Sequence, residues 1–577
     1  MPIAKPARVP RSRLLLAVVA AVAAVAFAIF GGATGNAASA GKTLVMLDTE
    51  VAPSMDPDGA DAADPALQQA FVNQMEPLVR YPTRANSQGI NIPNYKVGPQ
   101  GFQPDLATSW TQKGLVWTFH LRHGVKSCAG NTFTAADVIY SWQRAKSVSG
   151  AAPVAYFLGY VGGIFDGKAL APNAPASAKV LNSTDVKEIN PYTVQFTQKH
   201  PDGLFPRVLE IFALWVYDSK VMKAHATKAD PWSHDYTNNV AAPGFGAYCV
   251  SSWTKGSQIT FKANPHYWAG QPSYTTIVDR AVPADADRVA AIEGGQANVV
   301  TSLTPQEIAA VSKSRAVSVL SWQNNKLLTM GINYKYPPFN TSKGALIRKA
   351  IAYAMPYSNI IKDDYLGNAK QWYGLVPSSA FGYVPIHTYS TNLAKARALM
   401  AQAGYAGGKG LPANSPAFQL FYVAERAALL QPIATEIKTA LAQIGITIQL
   451  SPISQAEENT RELTRFDMGM FLRDDNRPLG PDAGYAAQLW YVCGKDGGLE
   501  PSGNYCNPKF DALFAKSQDA TGSVRLKYLA QMQQILMQDL PYVPIVEIPS
   551  QLAVQKGITG WEGNSYDLVE YWYLKAP

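Results

Sequence analysis

The chain has 577 residues, 47% of them hydrophobic and only 16% charged, and a formal net charge of +8. Such a length and composition predict about two to four domains with large apolar cores and argue against a disordered chain. Lys5, Arg8, Arg11 and Arg13 fall in the first 40 residues, so the other 537 carry +4; with no Lys/Arg run or recognition motif, nucleic acid is a poor partner.

The first element is an export signal. Those four cations precede an apolar run of 17 residues, Leu14 to Phe30, and small residues lead to Ala38-Ser39-Ala40, an A-x-A-like cleavage site. The run is longer than an h-region of about 7 to 15 and at the short limit of about 17 to 25 for a span. Cleavage before Gly41 and an uncleaved signal anchor both fit. The first cysteine is Cys128, so no lipid-anchoring Cys follows the signal. No later segment is apolar for about 18 residues, and the rest is predicted soluble and extracytoplasmic.

Trp117, Phe119 and Leu121 alternate with Thr118, His120 and Arg122, which predicts a half-buried strand. A turn at Gly130 follows. Thr134 stands three residues before Asp137 in an N-cap arrangement, and Val138, Ile139, Trp142 and Ala145 then recur at helical spacing. Past Asp279, strands and helices alternate. Residues 285–300 read as an amphipathic helix, a glycine stop and a buried strand; 393–405 as a helix ended by Gly404; 418–423 as a strand; 426–445 as a long helix; and 446–450 as another strand. This alternation predicts α/β layers on a parallel sheet. The charge-dense stretch 469–482 (GMFLRDDNRPLGPD) reads as a loop.

Four cysteines in an exported chain allow three pairings. Cys493 and Cys506 close a Gly-rich, Asn-containing loop and are the favoured bridge, which leaves Cys128 and Cys249 as a second pair or as free thiols. No C-x-x-C or tight Cys/His cluster points to a metal, and no cofactor is expected. His120 and His123 are three apart, but on the strand and its turn, where a surface role fits better. Ser252-Trp253-Thr254-Lys255 is formally S-x-x-K, a motif that needs its Ser at a helix start; the surrounding run reads as strand and turn, and neither S-D-N nor K-T-G occurs. G-x-S-x-G, H-E-x-x-H and G-x-x-x-x-G-K-[ST] are also missing, so the chain is not expected to be an enzyme.

Residues 102–145 contain PDLATSW, then FHLRHGV, then a Gly followed by TAADVIYS. This string resembles the family 5 extracellular solute-binding proteins, the peptide-, nickel- and sugar-carrying receptors of ABC importers. Further matches are SMDP (54–57), EPLVRY (76–81), NPYTVQFTQKHPDGLF (190–205) and the runs 242–270, 328–355 and 528–546. In the second half of this set, Gly244, Gly246 and Tyr248 fit the family turn while Phe245 and Ala247 replace Thr and Pro; Pro356 stands where an Asp is usual.

The resemblance implies an α/β, two-lobed, periplasmic-binding-protein-like (type II) fold with an extra inserted subdomain. Lobe one would comprise 41–81, 205–321 and 541–577, the inserted subdomain 82–204, and lobe two 322–540. The implied function is capture of a ligand between closing lobes and delivery to the permease of an ABC importer, by a monomer. Peptides are the commonest ligands; a nickel chelate, haem, opine or oligosaccharide, or a signalling role for the same fold, are the alternatives. In peptide-binding members an Asp late in lobe two holds the ligand's ammonium, and the equivalent here is Asp474 or Asp475. Phe471 stands near the usual Trp; Arg473 is a candidate for a ligand carboxylate. Trp322, Trp372, Tyr373 and Trp490 are candidate aromatic walls, each set against a plain core role.

Overall fold

The computed structural model describes residues 42–59, 64–147, 154–165, 181–374, 376–412, 414–478, 480–494 and 502–577; the expected export signal at 1–40 lies outside them. Its frame is an 11-stranded mixed sheet: β1 (Lys42–Asp48), β2 (Tyr248–Thr254), β3 (Gln258–Ala263), β4 (Tyr274–Ala281), β5 (Val299–Val300), β6 (Val317–Ile332), β7 (Lys370–Gln371), β8 (Gln419–Val423), β9 (Gln449–Ile453), β10 (Met470–Asn476) and β11 (Tyr542–Gln555). The strand order is β2-β3-β4-β1-β5-β11-β6-β10-β8-β9, with β7 on β11. One lobe is built on β2 to β5 with β1, the other on β8 to β10. The two long strands β6 and β11 run through both.

The expected parallel sheet is only partly found. β1 lies parallel to β4 and β5, and β8 lies parallel to β9 and β10, but β6 and β11 pair antiparallel with each other and with their outer neighbours. A chain that crosses from one lobe to the other and returns must run in opposite directions.

The pairing of β6 with β11 breaks between Gln323 and Lys326. Asn324 and Asn325 fill that break, both fully buried. Asn324 accepts from the Tyr95 hydroxyl at 2.9 Å and donates to the Asn564 carbonyl at 2.8 Å, while its own carbonyl accepts from Ser379 Oγ at 2.9 Å. Asn325 donates to the Pro478 carbonyl at 3.1 Å. The two amides thus tie the break to the segments around Asn564 and Pro478, while Ser379 satisfies the main-chain carbonyl of Asn324.

The most legible stretch folds as its pattern requires. The strand Val116–Leu121 buries Trp117, Phe119 and Leu121 and joins Ala107–Lys113, Thr193–Thr197 and Val186–Asn190 in a four-stranded antiparallel sheet. Ser252 and Lys255 fall on β2 and its turn rather than on a helix start. Helix α1 (Ala135–Ser147) begins where Asp137 Oδ2 accepts from the Thr134 amide at 2.8 Å, and it buries Val138, Trp142 and Ala145 against that sheet. Truncating a buried Trp such as Trp142 removes about 3–5 kcal/mol.

The later helices come in the expected order: Asp285–Glu293, then α2 (Gly344–Ala354), α3 (Leu393–Gln402) and α4 (Ala427–Ala442), followed by α5 (Ala483–Trp490), which the sequence pattern does not announce. After these come α6 (Pro508–Gln518) and α7 (Gly522–Asp539). Pro356 follows the end of α2 and heads a short turn at Tyr357–Asn359. The strand expected at 446–450 sits later, at Gln449–Ile453.

One expectation fails: 469–482 is not a loop, because Met470–Asn476 forms β10, inserted between β6 and β8. Its apolar start, Met470 to Leu472, is buried on both sides. The Phe471 ring lies so close to Gly331 that a Cβ there would stand 2.1 Å from it.

Both disulfides form. Cys493 pairs with Cys506 across 13 residues, and Cys128 pairs with Cys249 across 121 residues, tying the turn before α1 to β2. Among the described residues no helix is long and apolar enough to cross a membrane.

Candidate functional site

In open α/β sheets the ligand crevice lies at the carboxyl ends of the parallel strands. Here the register aims those ends at the crossing from both sides: Asn476 of β10 lies opposite Leu327, and Val300 of β5 opposite Ala553. The side chains at or just past the ends of β8, β9 and β10 therefore stand on the lobe-two side of that crossing, here called the lobe-two wall.

Four charged or polar side chains meet there: Arg426 past β8, Gln455 and Glu458 past β9, and Asp474 near the end of β10. Arg426 Nη1 lies 2.7 Å from Asp474 Oδ1. Its Nη2 donates to Gln455 Oε1 at 3.2 Å and lies 4.0 Å from Glu458 Oε2, which also accepts from Gln455 Nε2 at 2.7 Å. Ser454 accepts from the Glu457 amide and so starts the short helix that carries Gln455 and Glu458. The Asp474 side chain is 6% exposed and that of Arg426 27%, so the guanidinium is the outer member of the pair. Tyr365 is buried beside them, and burial, with the Asp474 charge next, pushes its hydroxyl well above the ordinary range.

The residues named from sequence are placed as follows. Asp474, Arg473 and Phe471 share β10; Asp475 is on the same strand, with its side chain outside the described residues. Arg473 forms an ion pair with Glu462, which also accepts from Ser502 Oγ at 3.1 Å. Phe471 packs edge-on to Tyr542 in the core. Trp372 is buried and donates to the Val376 carbonyl at 2.9 Å, Trp490 is buried edge-on to Tyr491, and Tyr373 is half-buried against His387. Trp322 is buried on β6 next to Gly563. His123 stacks on Tyr192, and His120 lies 3.5 Å from Thr193 Oγ1. Arg426, Gln455, Glu458 and Tyr365 were not picked out from sequence; Arg426 reads there only as the first residue of a helix.

The lobes also meet through residues that are not part of this wall. Arg207 Nε lies 3.3 Å from Asp482 Oδ2, and Gln518 Nε2 donates to Asp202 Oδ2 at 2.9 Å. Burial would raise the Asp482 carboxyl, but Arg525 and Arg207 hold it below the ordinary carboxylate range. Among the described residues no cation forms an ion pair with Asp202. Burial pushes it up to about 8 against the Leu204 amide and Arg525, with Asp482 and Asp519 adding to the rise. Burial likewise takes Glu210 up to about 8 against Arg80, and Glu76 to about 8, where Asp105 adds to the rise and Arg80 opposes it.

These three carboxyls keep a proton in the fold that unfolding releases. Their contribution is present below the unfolded value and is lost as pH rises through about 8. The lowered Asp482 acts in the opposite sense, but only in the acid range below its unfolded value. The melting temperature should therefore be lower at pH 9 than at pH 6, and the Asp202→Asn/Glu210→Gln double variant should flatten that slope. A parent protein with equal melting temperatures at the two pH values refutes the assignment.

Comparison with known proteins agrees with this architecture. The model of the bacterial extracellular solute-binding proteins, family 5, matches residues 101–498. The probable D,D-dipeptide-binding periplasmic protein DdpA of Escherichia coli is 24% identical over 81% of this chain and 83% of its own length. The DppA periplasmic binding protein of Helicobacter pylori, solved with the peptide STSA, superposes with a TM-score of 0.72 at 22% identity, covering 92% of this chain and 98% of that one. AgaA of A. tumefaciens, solved with agropinic acid, gives 0.71 at 21% identity over 93% and 99%.

Proposed function

Since the chain belongs to the family 5 bacterial extracellular solute-binding proteins, we propose that it captures a short peptide between its lobes and delivers it to the permease of an ABC importer. The observation that carries the peptide reading is the Asp474–Arg426 pair at the strand ends. An entering dipeptide carries the same two charges in reverse. Its ammonium pairs with Asp474, with Asp475 beside it on β10 as the alternative carboxylate, and its carboxylate pairs with the outward guanidinium of Arg426. Relatives named as binders of D,D-dipeptides, dipeptides and di- and tripeptides support this class.

In this reading the protein is exported by residues 1–40, acts as a monomer outside the cytoplasm, and carries out no covalent chemistry. Binding energy comes from pairing the ligand's two charges with partners already in place, which offsets the cost of desolvating them. Calorimetric titration of ligand-stripped protein tests it, with alanyl-alanine, its N-acetyl form and its C-terminal amide. Each modification should cost at least about tenfold in affinity, since each deletes one charge-assisted contact worth roughly 1.5–3 kcal/mol. Equal affinity for all three, or no binding of any di- to pentapeptide, overturns the reading.

A further inference from the structure

A second charged cluster, distinct in its residues from the Asp474–Arg426 wall, joins the lobes, and each side holds its own part by its own hydrogen bonds. On lobe two, Arg525 of α7 binds Asp482 through both terminal nitrogens, at 2.9 and 2.7 Å. Asp482 also caps α5 by accepting from the Gly484 amide at 2.7 Å, and it is fully buried. On lobe one, the Tyr95 and Val97 carbonyls hold the two terminal nitrogens of Arg207. That leaves its Nε to face Asp482. The Phe381 ring completes the join, with the guanidinium of Arg207 4.4 Å and that of Arg525 5.6 Å from its centroid.

Arg525 also fits between two glycines, one from each lobe. A Cβ at Gly203 would stand 2.7 Å from its Nε, and one at Gly484 2.5 Å from its Nη2. The opposing backbone reaches the side chain only because residue 203 has none of its own. A carboxylate enclosed by two guanidiniums is poorly screened by salt, and withdrawing Arg207 returns to water a charge that the join keeps dry.

We propose that Arg207, Asp482 and Arg525 form a closure catch that sets how often the cleft is shut, independently of what it holds. Ligand affinity then scales with the closed fraction for every ligand alike. The inference rests on the two-lobed fold and not on the peptide assignment, and its test needs no ligand.

Spin labels at Lys262→Cys on β3 and Lys438→Cys on α4, both exposed positions on opposite lobes, report the interlobe distance by pulsed electron double resonance on stripped protein. The parent should show a dominant short distance. Arg207→Gln and Gly203→Val should each lower the closed-to-open ratio roughly tenfold or more. They act from different sides of the join, and a melting curve on each separates opening from unfolding. Asp482→Asn keeps a good helix cap and should open the protein in the same way. Distance distributions unchanged in folded Arg207→Gln and Gly203→Val, or a parent that shows only the long distance, overturn the catch.

Discussion

Asp474→Ala should weaken binding of alanyl-alanine by a factor of about ten to a few thousand. A charge-assisted hydrogen bond in a water-poor crevice contributes roughly 1.5–3 kcal/mol. Deleting one partner of a buried pair costs more, about 3–5 kcal/mol, because the remaining charge stays buried and unpaired. At about 1.4 kcal/mol per decade the stated range follows. The fold should lose little, since Arg426 is 27% exposed and water can replace its partner; a pair of that kind contributes about 1 kcal/mol or less.

The cost should also fall selectively on the amine. N-acetylated dipeptide, already weak on the parent, should bind Asp474→Ala no more weakly than it binds the parent. Titration of Asp474→Ala and Asp475→Ala with free and acetylated dipeptide decides the matter. If both variants bind the free form as the parent does, neither carboxylate is the anchor.

Cys128→Ser should be the more damaging of the two disulfide deletions. Its bridge closes 121 residues and the Cys493–Cys506 bridge only 13. In the chain-entropy account these loops stabilise by about 5 and about 3 kcal/mol respectively. The long bridge also joins the turn that leads into α1 to β2 of the main sheet, so its loss leaves that edge to the Asn264 contact with the Lys126 carbonyl at 3.2 Å, the Asn131 contact with Asp218 at 2.9 Å and the Phe133–Phe245 ring contact. Thermal melting under non-reducing conditions should rank parent above Cys493→Ser above Cys128→Ser. A Cys128→Ser variant that melts with the parent would show that the bridge constrains little in the unfolded chain.

What the sequence made legible was local. The alternation at Trp117, Phe119 and Leu121 and the Thr134–Asp137 start of α1 need only near neighbours, and both are found. The short loop between Cys493 and Cys506 marks its own bridge. Cys128 and Cys249 carry no such signal, because nothing in a 121-residue separation says that two backbones will meet.

The same limit hid most of the site. Arg426 and Asp474 come together only because β8 and β10 lie side by side, and Arg207 meets Asp482 only once two lobes are in contact. The stretch 469–482 forms a strand where its charges predict a loop, for a related reason. Charged residues ordinarily mark water, but in β10 Arg473 and Asp474 are matched by Glu462 and Arg426 from other elements, so a buried strand carries them.

The position of β11 constrains the order in which this molecule can be made. It is the last strand in the chain, yet it lies at the centre of the sheet, between β5 and β6. Until residues 542–555 have been synthesised, β5 and β6 are open edges with unpaired backbone groups, and neither lobe has its complete sheet. Long-range pairing of this kind is slow to form. A chain still emerging from the ribosome therefore lacks the segment that completes both lobes, and its two halves stay unjoined at the centre of the sheet until that segment is made.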